Sequence, residues 1–119
     1  MGISEGLKRG TIELVLLTLL RDKDMYGYEI CQEFEKRSGG MFLVPEGSLY
    51  PVLYRMLDKG YITDRSEKVG KRRTRVYYHI EQAGIEYLEE IRNEYFSLNR
   101  GILNILGAGD LEDLADEKN

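Results

Sequence analysis

The sequence predicts an α+β, mainly α fold: three short helices, a β-hairpin and one long final helix. Three observations carry this. Apolar residues recur at helical spacing in three segments before residue 60. Two runs rich in β-branched and aromatic residues then flank a turn that includes Gly70. From Leu88 onward, apolar residues follow one another at intervals of 3, 4, 3, 4 and 3.

The first helix is expected over Thr11 to Arg21, with Thr11 as N-cap. Ile12, Val15, Leu16, Leu19 and Leu20 form one stripe, and Leu14 and Leu17 grease a second side, so two faces are to be buried. Asp22 to Asp24 reads as a turn. The second helix is expected over Met25 to Lys36, with Ile30, Cys31 and Phe34 inward. Gly27 near its start would admit another backbone, and Ser38-Gly39-Gly40 stops it.

A third helix begins between Pro45 and Ser48 and stops at Gly60. Ser48 as N-cap keeps Pro51 in the first turn, where a missing N–H is harmless. Leu49, Val52, Leu53, Met56 and Leu57 face inward; Ser48, Tyr50, Pro51, Tyr54, Arg55 and Asp58 occupy the other face. Tyr61 to Arg65 and Thr74 to Ile80 are the strands of the hairpin, with Val76, Tyr78 and Ile80 on one side and Arg75, Tyr77 and His79 on the other.

The last helix, Gln82 to Leu106, would be roughly 37 Å long. Leu88, Ile91, Tyr95, Leu98, Ile102 and Ile105 form a heptad seam too long for one small domain to cover, and a second copy of the chain is its simplest partner. The organisation expected is therefore residues 1–80 as a winged helix-turn-helix, 81–106 as a dimerisation helix of the same compact unit, and 107–119 as an acidic, frayed tail.

Composition narrows the function. The chain has 119 residues, one cysteine and one histidine, so a disulfide, a structural metal and a cofactor are not expected. No Ser/His/Asp set or phosphate-cradling loop points to catalysis. No apolar run could span a bilayer and Met1 to Gly10 carry no leader core, so a cytoplasmic protein with no membrane partner is expected. The net charge of −4 is located entirely in the tail after Gly107. Arg65 to Arg75 holds six bases against Glu67, a local basic finger on a neutral body.

In a winged helix-turn-helix, the third helix reads the major groove while the hairpin reaches backbone or minor groove. Tyr26, Ser48, Tyr50, Pro51, Tyr54 and Arg55 are the candidate contacts around that helix. Lys71, Arg72, Arg73 and Arg75 are those of the wing, and Lys8 and Arg9 those ahead of the first helix. The alternative is a winged-helix module that binds protein through its tyrosine face and acidic tail.

The string Leu7-Lys8-Arg9-Gly10-Thr11 ahead of an aliphatic helix resembles the opening of the PadR family of transcriptional regulators. So do Tyr26-Gly27-Tyr28-Glu29-Ile30, Gly47-Ser48-Leu49-Tyr50-Pro51-Val52-Leu53, Gly60-Tyr61-Ile62, and Arg75-Val76-Tyr77-Tyr78 followed by Ala83-Gly84. The single C-terminal helix is similar to the compact subgroup of that family. The resemblance implies a homodimeric repressor on a palindromic operator of double-stranded DNA. It also implies a planar hydrophobic effector between the subunits, with Tyr95 as the stacking aromatic and Leu14, Tyr87, Ile91 and Asn99 on the same wall. Two features depart from the family pattern: Ile80-Glu81 replaces the usual Leu-Thr before the last helix, and the chain has no tryptophan.

Overall fold

A computed structural model describes residues 10–107. The helices are α1 (Ile12–Asp22), α2 (Gly27–Arg37), α3 (Glu46–Asp58) and α4 (Gln82–Leu106); the strands are β1 (Met25–Tyr26), β2 (Ile62–Val69) and β3 (Arg73–Ile80). The order is that of a winged helix-turn-helix followed by a long helix. Lys8, Arg9 and the acidic tail beyond Gly107 lie outside the described residues.

The glycine signals end two helices as expected. At α3, Gly60 takes φ +76°, its N–H donates to Leu57 O at 3.1 Å, and the Tyr61 N–H reaches Met56 O at 3.0 Å. The same pair of bonds closes α2, from Gly39 to Lys36 and from Gly40 to Glu35. This motif satisfies carbonyls that a helix end otherwise leaves bare, and its positive φ is what selects glycine.

Three expectations are corrected. Met25 and Tyr26 do not belong to α2: they are extended and pair antiparallel with Tyr78 and Tyr77, giving a three-stranded sheet of order β1-β3-β2. Burial of Met25 beneath that sheet is the gain. Ser48 is not the cap of α3. Pro45, extended at φ −69°, stands there, and its carbonyl accepts from the Ser48 and Leu49 N–H groups at 2.9 and 3.1 Å. Pro51 therefore sits inside the helix, and the bond it withholds is to the carbonyl of exposed Gly47, which water can serve. Gly27 admits a side chain rather than a backbone: a Cβ there would lie 3.0 Å from Tyr50 Oη.

β2 is longer than expected, pairing from Ile62 opposite Ile80 to Val69 opposite Arg73, so the wing loop is only Gly70-Lys71-Arg72. The core is where α1, α2, α3 and the sheet meet: Leu16, Leu17, Leu20, Met25, Ile30, Leu49, Leu53, Met56 and Ile62 are fully buried. Ile12, Leu14 and Val15 are only half-buried, while Leu17, from the other side of α1, is completely enclosed.

The described residues form two compact units, the first ending at Leu88 and the second starting at Glu89. Leu88, expected in the intersubunit seam, is instead enclosed in the core of the first unit. In the second unit Tyr95, Phe96, Leu98, Ile102, Ile105 and Leu106 are exposed, and Tyr95 meets Phe96 edge-on at 5.5 Å. No helix among the described residues is long and apolar enough to cross a membrane.

Candidate nucleic-acid interface

Ser48, Pro51 and Tyr54 lie on the exposed side of α3, and Tyr54 keeps 61% of its surface. Tyr50 is half-buried. Its ring stacks on Tyr54 at 6.1 Å, covers Gly27, and its hydroxyl reaches Glu46 at 3.4 Å. Burial, then the Glu46 carboxylate, raises the Tyr50 hydroxyl above its ordinary pKa. Tyr78 beneath it is pushed to about 12 by burial, with Tyr50 and Asp64 adding to the effect. Both remain neutral donors at any physiological pH. Beside them a groove of about 540 Å³ runs between α3 and the hairpin, from Tyr26 and Glu46 to Thr74 and Arg75.

The wing has two kinds of cation. Lys71, Arg72 and Arg73 at its tip are exposed, and among the described residues they form no ion pair. Arg75 and Arg65 instead lie against aromatic rings. The Arg75 guanidinium sits over Tyr26 at 4.3 Å, Tyr26 meets Tyr77 edge-on at 5.6 Å, and Arg65 lies over Tyr77 at 5.3 Å. Each such contact is worth about 0.5–1 kcal/mol at an exposed site and fixes a long side chain. Asp24 anchors the inner end of this ladder, bonding Arg65 and, at 2.7 Å, His79 Nδ1.

Arg55 is not brought together with the tyrosines. Its Nε and Nη2 donate to Glu13 Oε2 at 3.1 and 2.8 Å, and Glu13 Oε1 accepts from the Tyr87 hydroxyl at 2.6 Å. Tyr87 is stacked almost flat on Tyr61 at 4.3 Å, and bonding to Glu13 with burial pushes its pKa to about 12. Glu13 and Asp24 escaped the sequence reading because their partners lie 41 to 74 residues away. Of the expected effector wall, Leu14 and Tyr87 belong to the first unit, and Ile91, Tyr95 and Asn99 to the second. A separate, mainly apolar pocket of about 300 Å³ lies between α1 and α2, against Val15, Leu19, Phe34 and Phe42, and includes none of those five. Cys31 is free, its thiol pushed to about 11 by burial and then by Glu46.

Burial alone would raise the Glu13 carboxyl, but its bonds to Tyr87 and Arg55 outweigh that and hold it below the ordinary 4.5. Asp24 is likewise held below 3.8 by His79 and Arg65 against its burial. Depressed carboxyls stabilise the fold at pH above their ordinary values, and this contribution disappears as pH falls through the folded ones. The melting temperature should therefore fall more steeply below about pH 4.5 in the unaltered protein than in an E13Q/D24N variant. The difference should be about 1 kcal/mol for the two together, given their half-exposed partners.

A profile of the transcriptional regulator PadR-like family matches residues 16–90. An uncharacterized protein of Lysinibacillus sphaericus is 37% identical over 87 residues, 73% of this chain and 80% of that one. A PadR-like regulator of Bacillus cereus is 30% identical with a TM-score of 0.72, over 85% of this chain and 96% of that one. The negative transcriptional regulator PadR of Bacillus subtilis is 27% identical over 66% of this chain and 43% of its own length. Its crystal structure in complex with operator DNA superposes with a TM-score of 0.63 at 26% identity, over 70% of this chain and 46% of that one. The chain thus spans under half of that regulator. With five of its seven described elements wholly inside the matched region and the expected wing and helix order in place, the chain belongs to the PadR-like family of transcriptional regulators.

Proposed function

We propose that the protein is a DNA-binding repressor that acts as a homodimer on a palindromic operator and is released by a small hydrophobic effector. The observation that carries the reading is the placement of the exposed α3 face, with Ser48, Pro51 and Tyr54, beside a hairpin tipped by Lys71, Arg72 and Arg73. Hydroxyls and a ring edge suit base edges and sugars, whereas three exposed cations with no ion pair among the described residues suit phosphates. The operator complex of Bacillus subtilis PadR supports the assignment.

In this mechanism two copies pair through the exposed apolar side chains of α4 beyond Leu88. Their α3 helices then meet half-sites roughly 34 Å apart. An effector held by Tyr95, with Leu14, Tyr87, Ile91 and Asn99, favours a dimer whose helix spacing no longer matches, a shift of population between two states. Lys8 and Arg9 add phosphate contacts ahead of α1.

The test is a mobility shift on a duplex selected by the unaltered protein from a random pool, beside an unrelated duplex. R72A/R73A should weaken both by about tenfold or more at physiological salt. It should also lower the slope of log affinity against log salt by about 4, one phosphate for each of the four arginines that the dimer loses. Unchanged affinity and slope would refute the role given to the wing.

A further inference from the structure

The Glu13 carboxylate joins three elements that are distant in sequence. It stands in the first turn of α1, and each of its oxygens serves a different neighbour. Oε2 holds the Arg55 guanidinium of α3 through two charge-assisted bonds, and Oε1 accepts the Tyr87 hydroxyl of α4. Lys59, one turn after Arg55, adds positive charge near the same group.

Tyr87 is itself held in place. Tyr87 lies flat on Tyr61, and the Tyr61 backbone is bonded on both sides, its N–H to Met56 O and its carbonyl to Glu81 N, each at 3.0 Å. The Tyr87 hydroxyl therefore cannot shift without disturbing the start of α4. With the hydroxyl withdrawn from Oε1, the carboxylate is held by Arg55 at Oε2 and no longer at both oxygens, so it is freer to turn and to carry the Arg55 guanidinium with it.

We propose that Glu13 is a positioning residue for DNA reading: through it, the Tyr87 hydroxyl of α4 sets how α3 is presented to the duplex. The inference rests on the DNA-reading role of α3 given above. It connects two residues assigned to separate tasks, Arg55 to DNA and Tyr87 to the effector wall, by way of one assigned to neither. A ligand or subunit movement that draws the Tyr87 hydroxyl away would be felt at the reader helix without touching it. Coupling of this kind needs a shared element that both sites bias, and one carboxylate with two occupied oxygens supplies it.

The experiment compares E13Q, Y87F and E13Q/Y87F on the duplex selected by the unaltered protein and on an unrelated duplex, with melting temperatures alongside. E13Q should weaken binding to the selected duplex by about tenfold while leaving the unrelated one within about twofold. Y87F should weaken the selected duplex by about threefold alone and add no further loss to E13Q. A general loss of folded protein would lower both duplexes together with the melting temperature, and that outcome overturns the inference. Unchanged affinity overturns it too. So does tighter binding to both duplexes with a steeper salt dependence, because Glu13 would then only mask Arg55. If no duplex is selected at all, the DNA-reading assignment fails first and takes this inference with it.

Discussion

Gly84→Ala should destabilise the first unit by about 3 kcal/mol or more, the largest effect expected of a methyl group added at any described glycine. A Cβ at Gly84 would stand 2.1 Å from the Tyr61 carbonyl oxygen, 3.0 Å from its carbon and 2.9 Å from Ile80 Cγ1. A flexible side chain could move aside, but the first obstacle is backbone. That carbonyl is already committed to the Glu81 N–H, and the neighbouring Tyr61 N–H closes α3 at Met56. Relief requires the start of α4 to lift away from Tyr61, and Leu88, one turn later, would then leave the core. Gly47→Ala makes the matching control. It lies in a helix with nothing within 4 Å of the added atom, and should be neutral or stabilising by about 0.5 kcal/mol. The urea midpoint should therefore fall for Gly84→Ala and hold or rise for Gly47→Ala. Equal midpoints would show that the Tyr61 carbonyl yields.

This close approach marks where sequence reading stops. Ala83-Gly84 is visible as a motif, yet nothing in the sequence says which backbone lies 2.1 Å from the missing methyl. What was legible is local. Helical spacing placed α1, α3 and α4 to within a residue or two, and the glycines after Ser38 and Lys59 marked helix ends because their bonds span only a few residues. β1 was missed for the opposite reason. It is two residues long, its partners Tyr77 and Tyr78 are some fifty positions away, and Tyr26, Ile30 and Phe34 keep helical spacing straight through it. β2 was cut short because residues 63–68 are exposed on both sides, so no apolar alternation marks the strand.

The candidate interface divides in the same way. Exposed cations at the wing tip and Tyr54 on α3 follow from pattern, since a charge run in a hairpin and a polar helix face both point to solvent. Whether a given arginine is pinned does not. Arg75 lies on Tyr26 only because β1 brings that ring beside Tyr77, and Arg55 turns to Glu13 across 42 residues. The seam reading also depended on context. Leu88 shares the heptad interval with Leu98 and Ile102, yet it closes the first unit's core while those two keep 65% and 44% of their surface.

That difference directs the second large prediction. L98D/I102D should abolish pairing and weaken binding to the selected duplex by about a hundredfold or more. In a two-fold pair each substitution occurs twice, so four carboxylates would enter one apolar seam, each costly to bury and each repelling the others. Both positions lie beyond Leu88, where aspartate meets solvent in the isolated chain, so the first unit should keep its urea midpoint. A monomer can still lay one α3 and one wing on DNA. What it loses is the second half-site, whose binding in the dimer is intramolecular and therefore far more favourable than a fresh encounter. The phosphates neutralised per bound molecule should also halve, and with them the salt slope. Sedimentation velocity supplies the deciding comparison. A monomeric variant with undiminished affinity for the selected duplex would mean that one copy suffices, and the reading of paired half-sites would have to be given up.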